Sequence, residues 1–328
     1  IKSIEKDEID IFRKLLKIVD DDVNLVDHEG NSLLYFSIYY SKTDIFKEIL
    51  SNPNFDSKKS GILKAFRSCY LLPKMKPEIN LHKKKDSKNT SFSPLEIMTD
   101  LYNYDQKHDH LIDFNQLLEN GHSFFTDVNP SADLKNGYEF FLNHGADPNI
   151  PDKFGVYPLQ HAINIESTCL INTLISSNKV DFNIKIPTNN EGEEEAKQTT
   201  YLHLAAEKDS TILWMLLNNG FDINVTNDLG ETPLFIACKK HRFDSVDFLF
   251  TQPKLDYLHR DNLGRDAIKV ICPLYEKDTK ILNRNQYHNL LIELILNNGI
   301  PIEESNMDNT NDEQNDEQRD NKQLPPLL

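Results

Sequence analysis

The chain has 328 residues, enough for two ordinary domains or one long repeat array, and its apolar fraction of 38% suits a thin array better than a single globule. A net charge of −16 excludes the dominant basic field that general nucleic-acid binding requires. No run of about 18 apolar residues occurs, so no membrane-spanning helix is expected. The sequence opens on Ile1 rather than Met, without a charged-then-apolar leader, which leaves room for residues upstream. Cys69, Cys169, Cys238 and Cys272 are scattered, with no Cys-x-x-Cys spacing. They read as reduced thiols of a cytoplasmic or nuclear protein, Cys238 inside a helix packing surface.

One pattern recurs along the chain. It is Ser32-Leu-Leu-Tyr-Phe-Ser, then Ser93-Pro-Leu-Glu-Ile-Met, Tyr157-Pro-Leu-Gln-His-Ala, Thr200-Tyr-Leu-His-Leu-Ala, Thr232-Pro-Leu-Phe-Ile-Ala and Asp266-Ala-Ile-Lys-Val-Ile. The last three begin 32 and 34 residues apart, and the earlier gaps of 61, 64 and 43 fit one period plus an insertion, or two periods with a degenerate unit. Each copy has a local logic. A Ser or Thr hydroxyl caps a first helix and Pro fits its first turn. A second helix follows, with apolar pairs at helical spacing such as Ile212, Leu213, Leu216 and Leu217. Gly145, Gly220 and Gly299 close such helices in a left-handed conformation. An extended stretch then leads to a turn that starts on Asp or Asn and ends on Gly: Asp27 to Gly30, Asp152 to Gly155, Asn227 to Gly230 and Asp261 to Gly264.

With His144-Gly-Ala-Asp-Pro-Asn and Gly230-Glu-Thr-Pro-Leu-Phe-Ile-Ala, the sequence resembles the ankyrin repeat family over most of residues 1–302, most strongly over 138–264. The resemblance implies an all-α solenoid of about seven or eight helix-turn-helix units joined by β-hairpin-like loops. The units fall near 1–26, 27–56, 88–122, 123–151, 152–185, 186–226, 227–260 and 261–302. Unit 123–151 lacks a first-helix signature. Three segments read as insertions: 57–90, lysine-rich, with a short amphipathic helix from Ile62; 187–198, an acidic loop at a hairpin tip; and 273–284. Residues 303–328 form an acidic, Asn/Gln-rich tail whose composition cannot bury a core, so it is expected to be disordered.

No catalytic constellation emerges. Phosphate-loop, His-Glu-x-x-His, Gly-x-Ser-x-Gly and kinase signatures are all missing, so neither enzymatic chemistry nor a cofactor is expected. His108 and His110 read as surface histidines rather than metal ligands. His203 matches the family's first-helix histidine, whose implied role is a hydrogen bond between neighbouring turns.

The resemblance implies instead a module that binds another protein through its concave face and hairpin tips. The tip residue before each turn glycine is Glu29, Phe154, Leu229 or Leu263. Three of these are apolar and mark a candidate interface. Lys153, Asp228 and Asn262 form its polar rim, and Gln160, His161, Phe235 and Lys239 are candidates on the first helices. Trp214 occupies a second-helix slot that holds Glu139, Asn172 and Asp247 in other units, so it is expected to face solvent as a binding anchor or to lie under an insertion. Leu216 to Asn224 resembles segments whose final Asn is hydroxylated, which makes Asn224 a candidate for modification or for bracing its hairpin. The chain is expected to be monomeric. Rival readings are the substrate-recruiting region of a larger enzyme, or a secreted effector of an intracellular bacterium or parasite acting in the host cytosol.

Overall fold

The computed structural model describes residues 1–6, 8–75, 94–127, 135–188 and 197–267. The calls on most of 76–90, on 189–196, on Cys272, on 273–284, on Gly299 and on the tail 303–328 lie outside the described residues. Helix pairs stack side by side. The first-helix layer contains α1 (Lys2–Glu5), α3 (Leu33–Tyr39), α5 (Ile62–Met75), α8 (Pro158–Asn164), α10 (Tyr201–Ala206) and α12 (Pro233–Lys239). The second-helix layer contains α2 (Ile9–Ile18), α4 (Thr43–Leu50), α6 (Pro94–Lys107), α7 (Lys135–Asn143), α9 (Thr168–Ser176), α11 (Ser210–Leu217) and α13 (Phe243–Phe250). α1, α3 and α5 stack in sequence, as do α8, α10 and α12, while α2 packs on α4, α7 on α9 and α11 on α13. One short sheet pairs β1 (Ile186–Thr188) with β2 (Lys197–Thr199) antiparallel, Pro187 opposite Gln198. The strands take in 187–188 and 197–198 at the two ends of the acidic loop expected at 187–198.

The register of the stack is set locally by asparagine. Asn24, Asn115, Asn149 and Asn224 each reach the next unit with both ends of the amide. In Asn224, Nδ2 donates to the Lys254 carbonyl at 2.7 Å and Oδ1 accepts from the Asp256 N–H at 2.8 Å. The other three make the same pair of bonds at 2.7–3.0 Å. Each bond satisfies backbone that would otherwise be left unpaired between units. It also holds the Asn224 side chain at both polar atoms, which fits the bracing reading of this residue.

Two parts of the array depart from the expected units. Residues 57–75 are not an excursion: α5 stacks on α3 and pairs with α6, and Ile62, Ala65, Phe66 and Cys69 are buried. The pattern at Ser93 therefore leads a second helix, α6, rather than a first one. Unit 123–151 shows no first helix among its described residues. An aromatic cluster forms here. Phe141 lies 5.3 Å from Phe114, 5.4 Å from Phe124, 6.0 Å from Phe125 and 6.5 Å from Phe66, centroid to centroid. Arg67 of α5 adds a two-pronged ion pair to Asp127, whose side chain is almost fully buried.

The expected hydroxyl caps are found in part. Ser32 accepts the Tyr35 N–H at 3.1 Å. Thr200 does not cap its helix; its hydroxyl bonds His203 Nδ1 at 2.8 Å. Thr232 does neither, and its buried Oγ1 has no partner. The alignment of Thr200-Tyr-Leu-His203 with Thr232-Pro-Leu-Phe235 explains the difference, because a phenyl ring stands where the imidazole nitrogen would be. A buried hydroxyl without a partner retains its desolvation cost. Thr232→Val is therefore expected to be neutral or to stabilise by up to about 1 kcal/mol, whereas Thr200→Val costs about 1–3 kcal/mol. Urea midpoints of the two variants measure the contrast.

Candidate protein-binding surface

Each hairpin tip is built by its first residue. Asp152 Oδ1 accepts from the N–H groups of Phe154 (2.9 Å) and Val156 (3.0 Å). Asn227 does the same for Leu229 and Glu231, Asp261 for Leu263 and Arg265, and Asp27 for Glu29 and Asn31. A carboxylate or amide oxygen two residues before the tip thus fixes the tip backbone, which is why the turn begins on Asp or Asn. Burial pushes the Asp152 carboxyl up. Donors from Val156, His122, Thr126 and Phe154 outweigh it and hold the carboxyl below the usual range. A fifth tip, Leu118–His122, has the same backbone bonds: Leu118 N–H to His122 O at 2.9 Å and Gly121 N–H to Leu118 O at 2.8 Å. Leu118 replaces the opening Asp, so only the Asn120-Gly121 dipeptide signals this turn in the sequence.

Neighbouring tips are tied together. Lys153 N–H donates to Gly121 O at 2.9 Å, Asp228 N–H to Gln198 O at 3.2 Å and Asn262 N–H to Leu229 O at 3.0 Å. Gln198 N–H returns a bond to Asp228 Oδ2 at 2.9 Å, and Asn262 Nδ2 donates to Asp228 O at 2.9 Å. The approach is so close at Gly230 that a Cβ there would lie 2.4 Å from Asn262 Oδ1, and its φ of +73° also requires glycine. The rim residues Lys153, Asp228 and Asn262 are exposed, with their main chains in this ladder.

On this frame, Phe154 is 63% exposed and Leu263 75%, whereas Leu229 is half-buried. One face of Phe154 rests on His122, with centroids 5.1 Å apart. Gln160 is half-buried, and its Oε1 accepts from Tyr157 N–H at 3.1 Å. Lys239 is exposed and pairs with the buried Glu231 carboxylate at 3.2 Å. Phe235 must be removed from the candidate face. It is only 1% exposed, and its ring meets His259 edge-on. Every residue from Pro233 to Cys238 is buried, and Phe235 takes the inward place that His203 holds in the preceding unit. Trp214 lies on α11 at 54% exposure, and the aligned Glu139, Asn172 and Asp247 are exposed as well. The slot faces solvent, and no described segment covers the indole.

His203 takes the part expected of it. Its Nε2 lies 2.8 Å from the Glu231 carbonyl of the next unit, an atom that only accepts, so Nε2 carries the hydrogen and Nδ1 accepts from Thr200. Burial lowers its pKa from 6.5 to about 4, against the opposing pull of the Glu231 carbonyl and carboxylate. Below 6.5 the unfolded chain binds a proton that the folded chain refuses. This contribution is whole above pH 6.5 and is lost as pH falls toward 4, at a slope approaching about 1.4 kcal/mol per pH unit. Urea midpoints followed across this window are expected to fall with pH, and His203→Gln is expected to flatten that dependence. His108 and His110 are exposed; their Nδ1 atoms pair with Tyr104 O at 2.7 Å and Gln106 Oε1 at 3.3 Å. Burial pushes the Cys238 thiol up to about 12, which suppresses the thiolate. Among the described residues, no helix is long and apolar enough to cross a membrane.

Stacked helix pairs with interlocked hairpin tips define a helical solenoid, a class whose extended surface serves protein recognition. The family model for ankyrin repeats matches three copies, over residues 132–227 and 188–261, so this part of the chain carries ankyrin repeats. The solved structure of a predatory endopeptidase from Bdellovibrio bacteriovorus in complex with an immunity protein contains a similar chain. The two are 20% identical, with a TM-score of 0.43 over 60% of this chain and 92% of that one.

Proposed function

We propose that the chain is a non-enzymatic scaffold that binds a partner protein along its hairpin tips and the adjoining first-helix face. The observation that carries this reading is the pair Phe154 and Leu263, large apolar side chains held out in solvent on tips whose backbone is already fixed. Such groups add contact area at little ordering cost. Trp214, on the second-helix layer, supports a second and separable contact. The scattered cysteines support a reducing compartment, the cytoplasm or nucleus.

Paired pull-downs test this. One bait is the unaltered chain and the other carries Phe154→Asp with Leu263→Asp, at sites too exposed to unsettle the core. The expected result is a protein captured by the first bait and lost from the second, while circular dichroism of the two baits agrees. Equal capture by both baits would refute the tip site.

A further inference from the structure

The ladder that ties the tips together is interrupted at Pro187. Lys153, Asp228 and Asn262 hold the second place of their turns, and each donates its N–H to the tip before it. Asn183 fixes the same place in the unit between them. Its N–H bonds Asp181, as that of Asn149 bonds Asp147 and that of Asn224 bonds Asp222. Lys153 lies four residues after Asn149 and Asp228 four after Asn224; four after Asn183 stands Pro187. Proline has no N–H to give. The atom left open can be read from the tip at 227–230, where Leu229 O takes the Asn262 N–H at 3.0 Å. Its counterpart is Phe154 O, which accepts from no described residue. Phe154 thus turns out an open carbonyl as well as a ring 63% exposed. His122, on which that ring rests, adds a second open atom. Its Nδ1 lies 3.0 Å from the buried Asp152 carboxylate, which is held below the usual carboxylate range and only accepts, so Nδ1 carries the hydrogen. Its Nε2 has no partner and is not buried. In the neutral ring that nitrogen accepts.

The open polar atoms around the Phe154 ring are therefore acceptors, and the donor must come from outside. The array shows what kind of donor fills such a carbonyl. Glu29 O, at the same place in the tip at 27–30, accepts from Lys64 Nζ of α5 at 3.0 Å, and that ammonium lies 5.8 Å from the centroid of the Tyr35 ring. We propose that the partner sets an arginine on Phe154, its guanidinium bonding the open carbonyl and lying over the free face of the ring. This rests on the reading of the tips as the binding surface and adds the chemistry of the partner. A guanidinium suits the place because it stacks on aromatic faces and still has N–H groups to donate. The net charge of −16 draws a cationic partner toward the chain. Lys153, the neighbouring cation, lays its stem along Gly121, on the side of the tip away from Pro187.

Selective labelling tests the proposal. Phe154-Gly155 is the only Phe-Gly pair in the sequence, so carbonyl-13C phenylalanine with 15N glycine gives a single peak, from the Phe154 carbonyl. A leucine label reads Leu229-Gly230 and Leu263-Gly264 in the same way. The probe is Nα-acetyl-arginine amide, with Nα-acetyl-citrulline amide as its neutral counterpart of the same shape. The expected result is a saturable shift of the Phe154 peak with the arginine probe, little shift with citrulline, and none at Leu229, whose carbonyl already has its bond. Phe154→Leu keeps the carbonyl, as a third Leu-Gly peak, and removes the ring; its dissociation constant for the arginine probe should rise about threefold. No shift at Phe154, an equal shift at Leu229 or an equal response to citrulline would overturn the proposal. An unchanged dissociation constant in Phe154→Leu would overturn the part given to the ring. The paired pull-downs keep this apart from the reading beneath it. Tip-dependent capture without an arginine shift discards the cation and keeps the tip surface. An arginine shift with equal capture by both baits discards the tip surface, and the partner's arginine with it.

Discussion

Phe141→Ala is expected to lower stability by about 3–5 kcal/mol and to split the unfolding transition in two. The energetic part follows from burial, since Phe141 is 1% exposed and surrounded by rings of Phe66, Phe114, Phe124 and Phe125. Removing it leaves a cavity that four other rings cannot all collapse into. The cooperative part follows from the one-dimensional stack. Each unit touches only its neighbours, so coupling between the two ends must pass through the unit that lacks a described first helix. In that unit the aromatic cluster carries contacts from α5 and residues 114–125 onto α7. Trp214, the only tryptophan, lies in the C-terminal half and reports on that half alone. In the unaltered chain, urea transitions followed by tryptophan fluorescence and by far-ultraviolet circular dichroism should coincide. In Phe141→Ala the circular dichroism transition should begin at lower urea than the fluorescence transition. Coincident transitions in the variant would show that the halves are coupled by another route.

Arg67→Ala should cost about 3 kcal/mol, the lower end for a buried pair, because it takes the guanidinium, itself 33% exposed, from a carboxylate side chain that is 3% exposed. Asp127 also accepts a bond of 2.8 Å from Asn120 Nδ2, a neutral donor. The pair ties α5 to the turn at 123–127, across the same gap that the aromatic cluster fills. The double variant Arg67→Met with Asp127→Leu separates charge from packing. Replacing a buried ion pair by apolar residues of similar size is often neutral or favourable, so the double variant should recover most of the loss. Urea midpoints of the three proteins decide the matter. A double variant no more stable than Arg67→Ala would mean that the ion pair holds a geometry that apolar packing cannot supply.

The sequence by itself determined the features that depend on near neighbours along the chain. An Asp or Asn that bonds the N–H groups two and four residues later needs no tertiary context, so the tips at 27–30, 152–155, 227–230 and 261–264 were legible. Glycines at positive φ after helices, such as Gly145 and Gly220, were legible for the same reason. The recurrence of the pattern then identified the solenoid, and the slot shared by Trp214, Glu139, Asn172 and Asp247 left the indole either in solvent or under an insertion, a choice the structure makes at 54% exposure. Tertiary structure decided whatever depends on which neighbour covers a side chain. Phe235 and Leu263 are both apolar and both near a turn, yet one lies on a helix covered on every side and the other stands in water. Thr200 and Thr232 look alike in sequence, and only the residue three places on gives one hydroxyl a partner and denies it to the other. The helix from Ile62 was legible, but the lysine-rich stretch hid its place in the stack because its charges, not its buried Ile62, Ala65 and Phe66, dominate the composition. The aromatic cluster was hidden because its rings come from four separated stretches of chain that meet only when the units stack. Periodicity records how a chain bonds to itself locally; burial is a property of the neighbour, which the sequence of one unit does not contain.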